Sequence, residues 1–453
     1  MAKSLTEGSV FKNIVVFSGP FLLAYFLQTL YGMADLFIAG QFYGADVISA
    51  VSIGSQIMHM LTVMIVGLAM GTTVLIGRAI GAKNREEASK VTGNSTTLFL
   101  IISILLTVVL LFCCPLIVKV MSTPQESVEQ TNLYLTVCFS GIPFIVAYNV
   151  VAAIFRGLGD SKSPMFFVAI ACVLNILLDY LFMGFFGMKA EGAALATVIA
   201  QTISVAISLC ASKKLNTGLS LKLIYFKPDV NIFKNLLKIG VPVSAQDGFV
   251  QISFLLITVI ANSRGVSVAA AVGIVEKIIT FLFLVPSSML SAISALAAQN
   301  NGAGEHGRAK KTLWYGILLS TGIGALFALI FQFVSVPAVS LFTSDEDVIL
   351  LGSQYLKSYV FDCIFAAIHF SFSGYFCAYG RSILCFIHNS LSIIFVRIPG
   401  AWIASKYFPE SLYPMGWAAP LGSALSAVLC TLFFLMLFAA KKSTPQLKRV
   451  NFL

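Results

Sequence analysis

The chain has 453 residues, of which 58% are hydrophobic and only 11% are charged, and its mean hydropathy is +0.92. These values lie far outside the range of soluble globular proteins, so the chain is expected in a lipid bilayer. The net charge of +10 does not indicate nucleic-acid binding, because most Lys and Arg residues lie in short polar segments between apolar runs.

Twelve apolar runs are long enough to cross a hydrocarbon core, which takes about 20 helical residues. In chain order they lie near residues 13–39, 48–76, 92–113, 133–155, 164–186, 192–212, 236–262, 268–297, 312–334, 352–378, 383–404 and 416–440. The runs are continuous and lack the period-2 alternation of a membrane barrel. The predicted fold class is therefore an all-α polytopic membrane protein with twelve transmembrane helices.

The second half of the chain repeats the first at an offset of 221 residues. Two of the anchors are AVSI at Ala50, which recurs as AVGI at Ala271, and GAKNREEA at Gly81, which recurs as GAGEHGRA at Gly302. Duplicated membrane proteins of this kind are typically transporters with a site between the halves. We therefore expect two six-helix lobes, related as a parallel repeat, around a central cleft.

The polar segments predict the domain organisation and the topology. We expect an N-terminal lobe over 1–212, a basic linker over 213–235, and a C-terminal lobe with a short basic tail over 236–453. The distribution of Lys and Arg places both termini in the cytoplasm, and the linker lysines are expected at the headgroups of an anionic leaflet. The sequence predicts a multi-pass protein of the bacterial cytoplasmic membrane. Its expected partner is the lipid bilayer rather than nucleic acid, and we expect a monomer.

Sequence motifs for chemistry or ATP hydrolysis are absent. The chain has no GxxxxGK[ST] motif, no HExxH set and no CxxC pair, so neither an enzyme nor an organic cofactor is expected. His59, His369 and His388 are isolated on apolar spans and favour core positions over metal ligation. Energy for uphill transport then has to come from an ion gradient.

Four polar residues of the first half form a candidate cation site: Asp35, Asn175, Asp179 and Thr197. An acid within a span is costly and usually faces a wet cavity, and carboxylate, amide and hydroxyl oxygens are the ligands that small hard cations prefer. The same carboxylates are also able to carry a proton, so the residues leave Na⁺ and H⁺ open. A structural alternative for Asp35 is a position near the outer helix end, at the membrane interface.

The second half is less uniform. Asp247, Glu276 and Asp362 lie within spans, but so do Lys277 and Arg397. Internal ion pairs and ion coupling therefore both remain open for these acids, and Asp247 equally suits the dipole near the start of its helix. In the first span, Pro20 removes a backbone hydrogen bond fifteen residues before Asp35, which predicts a bend that switches with the charge or occupancy of Asp35.

Six segments in order resemble the multidrug and toxic compound extrusion family of antiporters, within the superfamily that also contains lipid and polysaccharide flippases. They are MADLFIAGQFYGAD, GRAIGAKNREEA, FRGLGDSKSP, LNILLDYLF, GAALATVIAQ and AAQNNGAGEHGRA. The resemblance covers nearly the whole chain. It implies a twelve-helix, two-lobed antiporter that exchanges Na⁺ or H⁺ for organic, often cationic, drugs.

The resemblance also implies roles for individual residues. Asp35, Asn175, Asp179 and Thr197 match the family's first-lobe cation site, and Pro20 matches its bending proline. The further positions that match or accompany polar sites of the cleft are Gln28, Tyr134, Asn149, Glu276, Asp362 and Arg397. The chain departs from some branches of the family in its seventh span, where Val250 and Gln251 stand near the expected membrane-embedded acid. Glu276 is a candidate to substitute for it.

The sequence thus predicts a cation-coupled exporter of organic, mostly cationic, compounds. The alternative is a flippase or exporter of a lipid-linked or other amphiphilic metabolite, which would share the fold but require a strongly cationic cavity for phosphates. Buried acids outnumber buried bases in the sequence, which favours cationic substrates.

Overall fold

The computed structural model describes residues 5–214, 218–220 and 222–442, and the basic tail beyond Lys442 lies outside this part of the chain. Within the described ranges the secondary structure is helical, without strands. Ten helices are long and apolar enough to cross a membrane, and two bent helix pairs bring the number to twelve when each pair is taken as one span.

The twelve spans follow one another in the predicted order. We number them α1 to α12; in the first half they are α1 (Val10–Phe42), α2 (Ala45–Gly81), α3 (Arg85–Val120), α4 (Gln125–Ser140 with Ile142–Leu158), α5 (Lys162–Phe185) and α6 (Ala190–Lys214). In the second half they are α7 (Val230–Asn262), α8 (Val266–Gly302), α9 (His306–Ser340), α10 (Glu346–Tyr359 with Asp362–Ala378), α11 (Ile383–Tyr407) and α12 (Tyr413–Gly416 with Ala418–Lys442). The predicted fold class is confirmed.

The two bent spans occupy the fourth position of each half. α4 bends by 49° before Ile142, and α10 bends by 42° before Asp362. In α4 the bend precedes Pro143, whose ring nitrogen has no hydrogen to donate to the preceding turn. In α10 the bend makes Asp362 the first residue of a new helical segment, where a carboxylate is stabilised by the helix dipole.

The described chain divides into two compact units. Within the described residues, the first contains 15–240 together with 5–8 and 302–304, and the second contains 241–301 together with 9–14 and 305–442. The first unit has a core around Tyr134, Phe139 and Ile142, and the second has a core around Tyr355 and Tyr359.

The first turns of α7 lie close to α2 within the first unit. A side chain at Gly240 would collide with the backbone carbonyl of Leu68, so the close approach of the two helices requires glycine there. α7 also begins earlier than the sequence predicts, because Asp229 caps its first turn. The Asp229 carboxylate accepts hydrogen bonds from the backbone of Asn231 and Ile232 at 2.8 and 3.3 Å.

The end of the linker is fixed to α3. A short 3₁₀ turn at Leu223–Phe226 lies so near α3 that a side chain at Gly93 would meet the backbone of Tyr225. The Asn94 amide donates to the Tyr225 carbonyl at 3.0 Å, and its oxygen accepts from the Asp229 backbone at 2.7 Å. These bonds satisfy backbone groups that a loop at a membrane surface would otherwise leave to water.

We expect Asn94→Ala to release this end of the linker. The loss of both bonds leaves backbone groups unsatisfied, at a cost of about 1–3 kcal/mol, so tryptic cleavage after Lys222 should become about tenfold faster. Thr96→Ala is the matched control, because the Thr96 hydroxyl donates only within α3, to the Thr92 carbonyl. Equal cleavage rates in the two variants would show that Asn94 does not hold the linker.

Candidate cation site in the first unit

Three helices of the first unit bring the four predicted ligands together. Asp35 lies on α1 and is 3% exposed, Asn175 and Asp179 lie on α5 and are 2% and 0% exposed, and Thr197 lies half-buried on α6. Asp35 is adjacent to both Asp179 and Asn175, and the Asn175 amide donates to the Thr197 hydroxyl at 3.3 Å. Residues separated by up to 162 positions in the chain thus form one polar cluster inside an apolar unit.

Most oxygens of this cluster are free to bind a ligand. Oδ1 of Asp35, Oδ1 of Asn175 and both carboxylate oxygens of Asp179 are buried and accept no hydrogen bond of good geometry from the described residues. Buried acceptors without partners are costly and rare in proteins. Two adjacent carboxyl groups also repel each other when both are charged. A proton shared between them, or a cation bound by them, removes both penalties.

Two further residues, which the sequence analysis did not include, extend the cluster. Tyr31 on α1 and Gln201 on α6 line a narrow space together with Asn175 and Thr197. Tyr31 interacts with both Gln201 and Asp35, and Oε1 of Gln201 is buried without a hydrogen-bond donor in the described part of the chain. Helical spacing would have found both, since each lies one turn from a predicted ligand on the same face.

The other predicted polar residues of the first half differ in whether they interact with Asp35. Tyr134 is buried, interacts with Asp35, and shares a hydrogen bond of 3.1 Å with the Ser55 hydroxyl. Gln28 contacts Tyr31. The buried Asn149 donates to the carbonyl of Ile145 in its own helix at 2.8 Å, so its amide serves the local backbone.

The backbone near the cluster departs from regular helix. Immediately after Asp179, residues Tyr180–Phe185 form a π-helical segment. Such segments are rare and are found frequently at functional sites, because they loosen the hydrogen-bond ladder locally. Pro20 lies within α1, as predicted, and the helix continues through it from Val10 to Phe42.

The second unit arranges its charged residues differently, around Arg397. The Arg397 guanidinium lies 3.7 Å from the Asp362 carboxylate and donates to the Tyr359 hydroxyl at 2.7 Å. It also lies over the Phe254 ring, 4.9 Å from its centre and interacts with the half-buried Glu276. Of the alternatives left open by the sequence, the ion pair is the one present for Asp362.

Two histidines of the second unit are not isolated, contrary to the sequence analysis. The rings of His369 and His388 lie 5.5 Å apart, because α10 and α11 pack together, which sequence spacing alone does not reveal. His388 shares a hydrogen bond of 3.1 Å with the Ser373 hydroxyl. Among the described residues, no group of three or more His, Cys, Asp or Glu side chains is placed to hold a metal ion.

The family assignment follows from comparison with known proteins. A family model described as MatE matches residues 20–181 and, separately, residues 242–403. The chain belongs to the MatE family. The two matches also confirm the internal duplication, since each half of the chain fits the same model.

Full-length relatives and solved structures agree with this assignment. A protein described as "Probable multidrug resistance protein YoeA" from Bacillus subtilis is 27% identical over 446 residues, which cover 97% of this chain and 96% of that protein. The "Multidrug export protein MepA" of Staphylococcus aureus is 23% identical, with 95% of each chain covered. A crystal structure of MATE in the straight conformation is similar in fold, with a TM-score of 0.91, 23% identity and coverage of 97% and 99%.

The buried ion pair between Arg397 and Asp362 in the second unit gives a testable prediction. Asp362→Asn should lower the free energy of unfolding by about 3 kcal/mol, because it leaves the buried Arg397 charge without its partner. The combined variant with Arg397→Gln should be less destabilised than the sum of the single variants. All three tryptophans, Trp314, Trp402 and Trp417, lie in the second unit, so thermal unfolding followed by tryptophan fluorescence reports on it.

Asp247→Asn is the control for this cycle. Asp247 lies in the same unit but in no ion pair within the described residues. Its replacement should therefore leave the midpoint temperature of thermal unfolding nearly unchanged. Strict additivity of the Asp362 and Arg397 variants would mean that the two charges do not stabilise one another.

Proposed function

We propose that this MatE-family protein is a secondary antiporter that couples the entry of Na⁺ or H⁺ to the export of organic, mostly cationic, compounds. The observation that carries the proposal is the buried pair of carboxyl groups, Asp35 and Asp179, with free oxygens and no basic partner among the described residues. Multidrug resistance and multidrug export appear in the descriptions of full-length relatives, which supports the substrate class.

The charge of the site supports a cation as ligand. The buried basic residue of the same unit, Arg156, lies beside Tyr25 and Tyr148 rather than beside a carboxylate. Its charge therefore does not neutralise Asp35 and Asp179. A site for lipid-linked phosphates would need the opposite polarity, with several basic side chains directed at one point.

Coupling requires only that the ion and the exported compound favour different conformations, or compete for the same carboxylates. The space between Tyr31, Asn175, Thr197 and Gln201 is too narrow for a water molecule. Ion exchange at this site therefore needs α1, α5 and α6 to separate. Pro20 lowers the cost of bending α1, because the helix already lacks one backbone hydrogen bond there.

We further propose that the protein lies in a bacterial cytoplasmic membrane as a monomer, with both termini in the cytoplasm. The basic segments between the spans support this orientation. In this arrangement the 213–235 linker joins the N-terminal lobe over 1–212 to the C-terminal lobe over 236–453 on the cytoplasmic side. The transport cycle needs no organic cofactor, because the ion gradient supplies the energy.

Asp35→Asn should abolish ion-driven uphill transport. The amide keeps the shape of the side chain but neither binds a proton nor carries the charge that attracts a cation. The measurement is uptake of ethidium into inside-out proteoliposomes under an imposed Na⁺ or H⁺ gradient. Asp347→Asn, an exposed residue in the first turn of α10, is the control and should transport normally. Uphill transport by Asp35→Asn at the unmodified rate would refute the proposed coupling.

Thr197→Val distinguishes the two coupling ions. The substitution preserves the shape of the side chain but removes the hydroxyl, which Na⁺ would use as a neutral oxygen ligand and a proton would not need. Sodium-driven transport should then require about tenfold more Na⁺, since the loss of one ligand is worth about 1–2 kcal/mol. Proton-driven transport should persist. Thr202→Val on the same helix is the control, because the Thr202 hydroxyl donates to the Val198 carbonyl within α6.

A further inference from the structure

The first unit contains an apolar groove that is separate from the cation site. Its volume is about 280 Å³. The second segment of α4 packs against both α3 and α6 and forms the floor, with Val146, Val150 and Ile154 along it. Leu100 on α3 and Leu209 on α6 form the sides and are 57% and 50% exposed. The groove therefore opens at the surface of the unit rather than lying sealed within it.

The chemistry of the lining excludes a polar occupant. Its hydroxyl groups are already bonded within α3: Thr92 donates to Ala88, Thr96 to Thr92 and Ser103 to Leu100, each to a backbone carbonyl. The remaining lining is almost entirely aliphatic and aromatic. An apolar cavity of about half this volume stays dry and takes up hydrocarbon. The occupant that fits is a hydrocarbon chain.

The length of the groove floor is compatible with one acyl chain of a lipid. The floor extends from Pro143 to Leu158, which is about 22 Å at 1.5 Å per helical residue. One leaflet contributes about 15 Å to a hydrocarbon core of about 30 Å. The floor is therefore at least as long as the part of an acyl chain that lies in one leaflet.

The linker closes one end of the groove and adds positive charge there. Leu219 and Phe226 line this end, and the hydrogen bonds of Asn94 hold the turn in place. Lys222 and Lys227 flank the turn and are exposed, and neither is in an ion pair within the described residues. The Arg85 guanidinium lies against Gly218, next to Leu219. Three cationic residues are thus next to Leu219 or flank the turn that contains Phe226, at the end from which a lipid headgroup would emerge.

From this juxtaposition we propose that the groove between α3, α4 and α6 is a binding site for an anionic phospholipid. One acyl chain lies along α4, and the phosphate is held by Lys222, Lys227 and Arg85. An anionic headgroup is favoured because Lys and Arg side chains near a membrane surface are attracted to negatively charged lipids. The bound lipid would pack against the linker turn and stabilise its docking on α3.

Native mass spectrometry of the full-length protein tests this assignment. The protein is purified in detergent and titrated with phosphatidylglycerol or with phosphatidylcholine of the same acyl chains. We expect one phosphatidylglycerol to remain bound with high occupancy and phosphatidylcholine to bind more weakly. Lys222→Ala combined with Lys227→Ala should weaken phosphatidylglycerol binding about tenfold or more. The control variant combines Lys119→Ala with Lys189→Ala, which removes the same amount of charge at the opposite helix ends. It should bind phosphatidylglycerol as the unmodified protein does.

A second variant tests the acyl chain separately from the headgroup. Ala147→Phe places a ring in the groove and should displace the lipid while every cation is retained. Val151→Phe serves the same purpose if Ala147→Phe fails to fold, as judged by thermal unfolding. Equal binding of the two lipids, or unchanged binding in either the lysine or the groove-filling variant, would overturn the assignment.

Discussion

The central constraint on this protein is the cost of placing carboxyl groups in a hydrocarbon environment. Asp35 and Asp179 are almost fully buried, and their oxygens have few or no donors in the described part of the chain. Buried acids of this kind are rare, and they are a basis for a functional hypothesis by default. The apolar surroundings that make the pair costly also make it selective, since a small cation or a proton removes the repulsion, whereas an anion would increase it.

The two halves resolve this constraint in different ways. In the first unit the acids are grouped with amide and hydroxyl groups, and their oxygens are left free. In the second, Arg397 contacts Asp362, Tyr359 and Phe254 and interacts with Glu276. The charge of Arg397 lies beside the acids of the second unit, whereas among the described residues no ion pair involves Asp35 or Asp179. The duplicated fold therefore supports two chemically distinct sets of buried charges.

The sequence was sufficient to predict the spans, because a run of about 20 apolar residues is the dominant signal in a membrane protein. It also singled out Asp35, Asn175, Asp179 and Thr197, since polar residues within such runs are few; the structure brings these four together, and their role in ion binding stays a prediction. It did not single out Tyr31 or Gln201, because neither carries a charge; only their spacing of four residues from Asp35 and from Thr197 indicates them. The proximity of His369 and His388 depends on the packing of α10 on α11, a contact between helices that the spacing of residues along the chain does not encode.

The docking of the linker affects where the chain is able to bend. The boundary between the two compact units falls after Gly240, inside α7, rather than in the linker. The hydrogen bonds of Asn94 hold Tyr225 and Asp229 against α3, and the close approach at Gly240 holds the first turns of α7 against α2. Pro242 follows two residues later. Pro242 removes one backbone hydrogen bond within α7, so bending in this region of the chain is concentrated inside that helix rather than in the linker.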